Sequence, residues 1–288
     1  MRVTSRAPMK KLRKFIYFGT PYVAKDTLAL LYEAGYIPAL VVTSPDAPKG
    51  RGMTLTPTET NVLASQLGIP VITPEKLTSE VIAELKVYGT DYALVVAYGK
   101  LFPQELIDVF PLGVLNIHYS LLPKYRGASP VESALFHGET RTGVSIQKMV
   151  LKMDAGDILA QKETAIDPTE TTRELRPRLV RLGAELLLEV LPAFEEEMTS
   201  FTPQNEAEAA RSGKIRKEDG ELTLTGDART NWNKYRAYAE SPGTYFFMQK
   251  VGKAIRVKIK TASFDGTHFS PLRVVPEGKS ETDYASLV

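Results

Sequence analysis

Residues 14–43 read "KFIYFGTPYVAKDTLALLYEAGYIPALVVT", and three regimes follow one another in them. "KFIYF" (14–18) is a short run rich in aromatic and β-branched residues, which favour a strand. It stops at Gly19-Thr20-Pro21, and a helical stretch over 21–34 follows and halts at Gly35. "YIPALVVT" (36–43) returns to a strand pattern. The same alternation then continues. A Pro/Gly-rich polar loop (44–57) leads to a helix over 58–67 ending at Gly68, the strand "IPVIT" (69–73) and a helix over 78–88 ending at Gly89. "DYALVVA" (91–97) and "GVLNIHYS" (113–120) are the fourth and fifth strands. Nearly unbroken apolar strands separated by helices predict a parallel, Rossmann-like sheet covered on both faces.

The first strand ends in "GTP" and not in G-x-G-x-x-G. The glycine cradle for a dinucleotide pyrophosphate is therefore missing, which sets a dinucleotide oxidoreductase aside.

From residue 142 the rhythm changes. "TGVSIQKMV" and "GDILAQKETAI" both alternate, which predicts an antiparallel addition to the sheet. A long helix over 171–199 carries Leu175, Leu179, Leu182, Leu186 and Val190 along one stripe. From Pro203 the chain turns polar and interrupted and reads as a linker. A helical segment near Trp232, then "TYFFMQ", "KAIRVKIKTASF" and "PLRVV", predict a small β-rich, OB-like domain. The expected division is a basic tail (1–13), an α/β catalytic domain (14–203), and a linker with the small domain (204–288).

Composition narrows the chemistry. Of the 288 residues none is cysteine and three are histidine, at 118, 137 and 268. Disulfides, thiolate metal sites and a cysteine nucleophile are excluded, and no metal is expected. Apolar runs such as "ALVVA" are far too short to cross a bilayer, so no membrane partner is expected. "MRVTSRAPMKKLRK" holds six basic residues and no acidic one, without the apolar middle of a secretory signal. It reads as a basic tail, with Met9 as an alternative start and a short transit-like leader as the other reading, and the chain as a cytoplasmic monomer. Net charge is +2, with 14 Lys/Arg against 11 Asp/Glu in residues 205–288. That basic C-terminal part points to a polyanionic partner.

Candidate chemistry centres on "NIHYSLLPKYRGASP" (116–130). Ligands of parallel α/β sheets bind beyond the carboxyl ends of strands. Asn116 and His118 sit at such an end, two residues apart, and so point to one side. An amide and an imidazole there can hold an oxyanion; a strand-end histidine satisfied by its neighbours fits the same pattern. Asp154, in the "KMDAGDIL" loop, could orient His118, or could serve the turn through its own backbone, the role given to Asp157. "SLLPKYRG" is a loop held by Pro123 and Gly127, either a cradle for a flat ligand or a plain strand-to-helix connection.

Together with "TGVSIQKMVLKMDAGDIL", this stretch resembles the catalytic region of the 10-formyltetrahydrofolate-dependent formyltransferases. The resemblance implies that Asn116, His118 and Asp154 are the catalytic trio. It implies that Ser120, Leu121, Leu122 and Pro123 bind the folate co-substrate, 10-formyltetrahydrofolate, and that a protonated His118 helps to hold the oxyanion. "TSPDAPKGRGMTLTPT" (43–58) resembles the insertion of those members that act on methionyl-tRNA. Arg51, with Lys49 beside it, is then expected to meet the acceptor end of initiator Met-tRNA. Two other members of the resemblance remain as alternatives: a nucleotide-sugar N-formyltransferase, and a non-catalytic tRNA- or folate-binding homologue.

Overall fold

The computed structural model describes residues 13–49, 53–250 and 252–287. The basic tail, except Arg13, lies outside them, as does Arg51. In chain order the first part comprises β1 (Phe15–Gly19), α1 (Tyr22–Glu33), β2 (Leu40–Val42), β3 (Ala47–Lys49), β4 (Thr54–Thr56), α2 (Glu59–Gln66), β5 (Val71–Ile72), α3 (Ser79–Val87), β6 (Tyr92–Val96), α4 (Gln104–Ile107) and β7 (Gly113–His118). Next come β8 (Arg126–Gly127), α5 (Pro130–Phe136), β9 (Arg141–Lys148), β10 (Ile158–Ala165) and α6 (Thr172–Glu195). The remainder is β11 (Arg211–Ser212), α7 (Ala228–Ala237), β12 (Thr244–Lys250), β13 (Lys253–Phe264), β14 (Phe269–Pro276) and β15 (Thr282–Asp283).

Seven strands form one sheet in the order β10-β9-β7-β6-β1-β2-β5. β7, β6, β1, β2 and β5 run parallel, while at one edge β9 is antiparallel to β7 and β10 antiparallel to β9. Alternate residues of each central strand enter different cores. Phe15, Tyr17, Leu94, Leu115 and Ile117 pack with α1 and α6; Ile16, Phe18, Ala93, Val95 and Val114 pack on the other face. Two covered faces leave no solvated position in the strand, which is why the runs are apolar throughout. Strand order reverses at β1, and the carboxyl ends of β6 and β7 open on a common crevice.

α6 starts on a capping box, with the Thr171 hydroxyl and the Glu174 carboxylate each serving the other's backbone. Its Leu175, Leu179, Leu187 and Leu191 are fully buried, and Gly183 lets it approach Ile117 of β7. It therefore presses directly behind the strand that bears Asn116 and His118.

Two loop expectations need correction. The 44–57 segment is no plain loop: Ala47–Lys49 pair with Thr54–Thr56 as a short hairpin, because Thr and Leu on the return arm can ladder despite Pro48. Residues 201–212 are no free linker either. Thr202 bridges Ile158, and Arg211–Ser212 pair in parallel with Arg126–Gly127. C-terminal strands β12-β13-β14-β15 form an antiparallel meander, as the β-rich expectation had it. Val257, Ile259, Val274 and Phe246 line its core. No helix among the described residues is long and apolar enough to cross a membrane.

Candidate active site

β7 carries Asn116 and His118 to the mouth of a cleft of about 540 Å³. Asn116, His118 and Asp154 all line that cleft, so two distant segments of sequence meet there. The cause is local. The 149–157 loop between β9 and β10 folds back over β7, and β9 pairs with β7 so that Gln147 lies opposite Asn116. Asp157, assigned to the turn, closes the base of that loop by accepting the Lys148 N–H at 2.9 Å.

His118 is 5% exposed. Its Nε2 lies 2.9 Å from the Tyr125 carbonyl oxygen. A carbonyl only accepts, so Nε2 carries the hydrogen and Nδ1 is the basic atom of the neutral ring. Nδ1 lies 3.7 Å from Asp154 Oδ1, too far for a direct hydrogen bond but close enough for strong attraction once the ring is charged. Burial pushes the His118 imidazolium below its ordinary titration range, against the opposing pull of Asp154 and the bond to Tyr125. The neutral form of the resting ring is therefore favoured. Desolvation of the charged form outweighs one carboxylate held at a distance.

Asp154 has a backbone φ of 51°, a left-handed conformation for a non-glycine residue. Its carboxylate is doubly held: Gly127 N–H donates to Oδ2 at 2.8 Å, and Gln147 Nε2 donates to Oδ1 at 2.8 Å. Gln147 is 1% exposed and belongs to the cleft lining, and its Oε1 is buried without a hydrogen-bond partner among the described residues. An orphaned buried acceptor there is suited to a ligand N–H. Asn116 makes no side-chain hydrogen bond among the described residues, which leaves its amide available to the cleft.

Cleft walls come from residues the sequence reading did not single out. Ala97 to Phe102 form one side, and Met149, Val150, Leu151 and Met153 the other. Leu101 and Leu151 are 76% and 62% exposed, which leaves apolar surface for an apolar ligand in the cleft. The available signal was an apolar run continuing past the end of a strand into "AYGKLF" and "MVLKM", where a solvated loop would be polar.

Ser120, Leu121, Leu122 and Pro123 do not line this cleft. Ser120 is fully buried and donates to the Lys124 carbonyl at 2.6 Å. Leu122 is buried, its N–H donating to Ser145 Oγ at 3.0 Å and its carbonyl accepting from Gln161 Nε2 at 2.9 Å. Leu121 abuts Gly143 on β9, and the Pro123 carbonyl accepts the Ala210 N–H at 3.2 Å. This loop fixes the Tyr125 carbonyl that orients His118. Lys49 is the last residue of β3, in the β3–β4 hairpin. Among the described residues no group of three or more His, Asp or Glu is placed to hold a metal.

The match to known proteins agrees with this geometry. Residues 14–191 match the family model described as "Formyl transferase". A methionyl-tRNA formyltransferase of Koribacter versatilis is 42% identical over 232 residues, 80% of this chain and 74% of that protein. Another from Geotalea daltonii is 36% identical over 94% of this chain and 86% of its own. In fold the chain resembles the N-formyltransferase of Helicobacter canadensis, solved with folinic acid and dTDP-3-aminofucose. The TM-score is 0.64 at 19% identity, covering 88% of this chain and 90% of that one.

Proposed function

We infer the function from one premise: the chain belongs to the formyl transferase family. It is an enzyme that transfers the formyl group of 10-formyltetrahydrofolate to the α-amino group of methionine on initiator Met-tRNA. The observation that carries the choice of acceptor is likeness to methionyl-tRNA enzymes running past the family match and through the C-terminal sheet. The apolar cleft with its polar end has the size and lining for a pteridine, and the orphaned Gln147 Oε1 supplies an acceptor for one ring N–H.

In the mechanism we propose, the neutral amine attacks the formyl carbon and a C–N bond forms while the carbonyl electrons move onto oxygen. The Asn116 amide donates to that oxyanion. His118 Nδ1, once protonated, donates as well, and the Asp154 carboxylate stabilises the imidazolium. The proton lost by the amine reaches N10 of the folate through Nδ1 or water, and the C–N10 bond breaks to release tetrahydrofolate. Ser120–Pro123 serve the folate site indirectly, through the loop that holds the Tyr125 carbonyl against His118. Arg51, with Lys49, meets the acceptor stem, and residues 204–288 bind the body of the RNA. The same reading makes the protein a cytoplasmic monomer.

The deciding experiment offers three acceptors: charged initiator tRNA, an amino-sugar nucleotide, and none. Formylation of Met-tRNA alone is expected. His118→Ala and Asn116→Ala should each lower kcat by about 10²–10³ with tRNA binding retained. Preference for the sugar nucleotide, or near-normal turnover in His118→Ala, would overturn the reading. Arg51→Ala should raise the KM for Met-tRNA and leave slow folate hydrolysis unchanged; equal loss of both would remove its assignment.

A further inference from the structure

Behind Asp154, on the side away from the cleft, lies a residue from the segment that reads as linker. Gln204 Nε2 donates to the backbone carbonyls of Asp154 (2.9 Å) and Gly156 (2.6 Å), and its Oε1 accepts from Arg126 Nε (2.9 Å). Its orientation is unambiguous, since carbonyls only accept and a guanidinium only donates. Arg126 is 6% exposed, and a second nitrogen of its guanidinium lies 2.9 Å from Glu206 Oε1. Glu206 also pairs with Lys152 at 2.7 Å, on the loop that bears Asp154. Gln204 and Glu206 thus tie the 152–156 turn to Arg126, whose neighbour Gly127 donates to the Asp154 carboxylate.

Asp154 needs such a tie. A left-handed φ on a non-glycine residue persists only where the surroundings impose it. The carboxylate is gripped from the front by Gly127 and Gln147, and the main chain beneath it is gripped from behind by Gln204. Gln204 itself is not part of the cleft lining.

We propose that Gln204 is a positioning residue for the reaction, holding the Asp154 turn so that its carboxylate stays opposite His118 Nδ1. The proposal rests on the role given to Asp154 above. It has a direct consequence: the segment joining the catalytic sheet to the C-terminal sheet is itself part of the catalytic framework.

The test uses the full chain, with formylation of Met-tRNA measured for Gln204→Leu, Asp154→Ala and the double variant. Gln204→Leu should lower kcat about tenfold or more, since small misplacements of a reacting group cost up to about a hundredfold. KM for both substrates should stay within about twofold, because Gln204 touches neither. In the Asp154→Ala background the same change should cost less than about twofold, because the carboxylate it positions is gone. An unchanged kcat in Gln204→Leu, or a loss that multiplies fully with Asp154→Ala, would overturn the proposal. If Gln204→Leu does not fold by thermal unfolding, Gln204→Asn, too short to span both carbonyls, carries the same cycle. Wild-type protein inactive on Met-tRNA, or Asp154→Ala with full turnover, would instead refute the functional reading and not the tie itself.

Discussion

His118 illustrates how one buried ring can be set by its two nitrogens separately. Nε2–H is committed to the Tyr125 carbonyl, so all proton traffic passes through Nδ1, which faces Asp154. Burial is the largest influence on the ring and pushes its titration below the ordinary value of about 6.5. The sign follows from linkage. Between the lowered folded value and 6.5 the unfolded chain binds more protons, so stability rises with pH through that window. Above it the contribution is fully present, and it is lost as pH falls through the folded value. Urea midpoints measured between pH 5 and 7.5 should therefore decline toward acid in the wild type, and decline less in His118→Asn. Parallel curves for the two would refute the assignment. Asn116 and His118 were legible because their spacing fixes their side; the Tyr125 partner was not, since only a folded loop brings a carbonyl seven residues on back to the ring.

Among the elements, the 149–157 loop decides whether a site exists at all. It must leave β9, expose an apolar wall and return Asp154 to β7. Gly156 makes the return possible: a Cβ there would lie 1.6 Å from the Lys148 carbonyl oxygen, a backbone atom that cannot yield. Gly156→Ala should destabilise the protein by about 2 kcal/mol or more and lower kcat as well, read by denaturant unfolding and by turnover. A variant with wild-type stability and activity would show that the loop tolerates another path. The sequence reading placed Asp154 and Asp157 in this loop but could not give its path over β7. It also took the segment from Pro203 as a linker, because short polar runs carry no period. Its ordering comes from pairing with β8 and from Gln204 and Glu206, none of which a periodicity can register.

At the scale of the whole molecule, basic charge gathers on one face of the C-terminal sheet. On β13, Val257 and Ile259 enter the core while Arg256, Lys258 and Lys260 alternate onto the exposed face. Those three, with Arg173 and Lys217, line a groove of about 700 Å³ between the C-terminal sheet and the start of α6, where Glu174 and Glu240 also stand. Replacing Arg256, Lys258 and Lys260 by glutamine should raise the KM for Met-tRNA and leave the folate KM unchanged. It should also flatten the salt dependence of tRNA binding by about two log units per log unit of salt. An unaltered salt slope would place the RNA elsewhere. By itself the sequence determined the parallel sheet, the antiparallel edge and the β-rich C-terminal part, because period and spacing are local properties of a chain, while the candidate trio was named through the family resemblance. Tertiary structure alone decided the neutral state of His118, the walls of the cleft and the place of Gln204. Each depends on which distant groups are brought within a few ångströms and which are removed from water, and neither is written in the order of neighbouring residues.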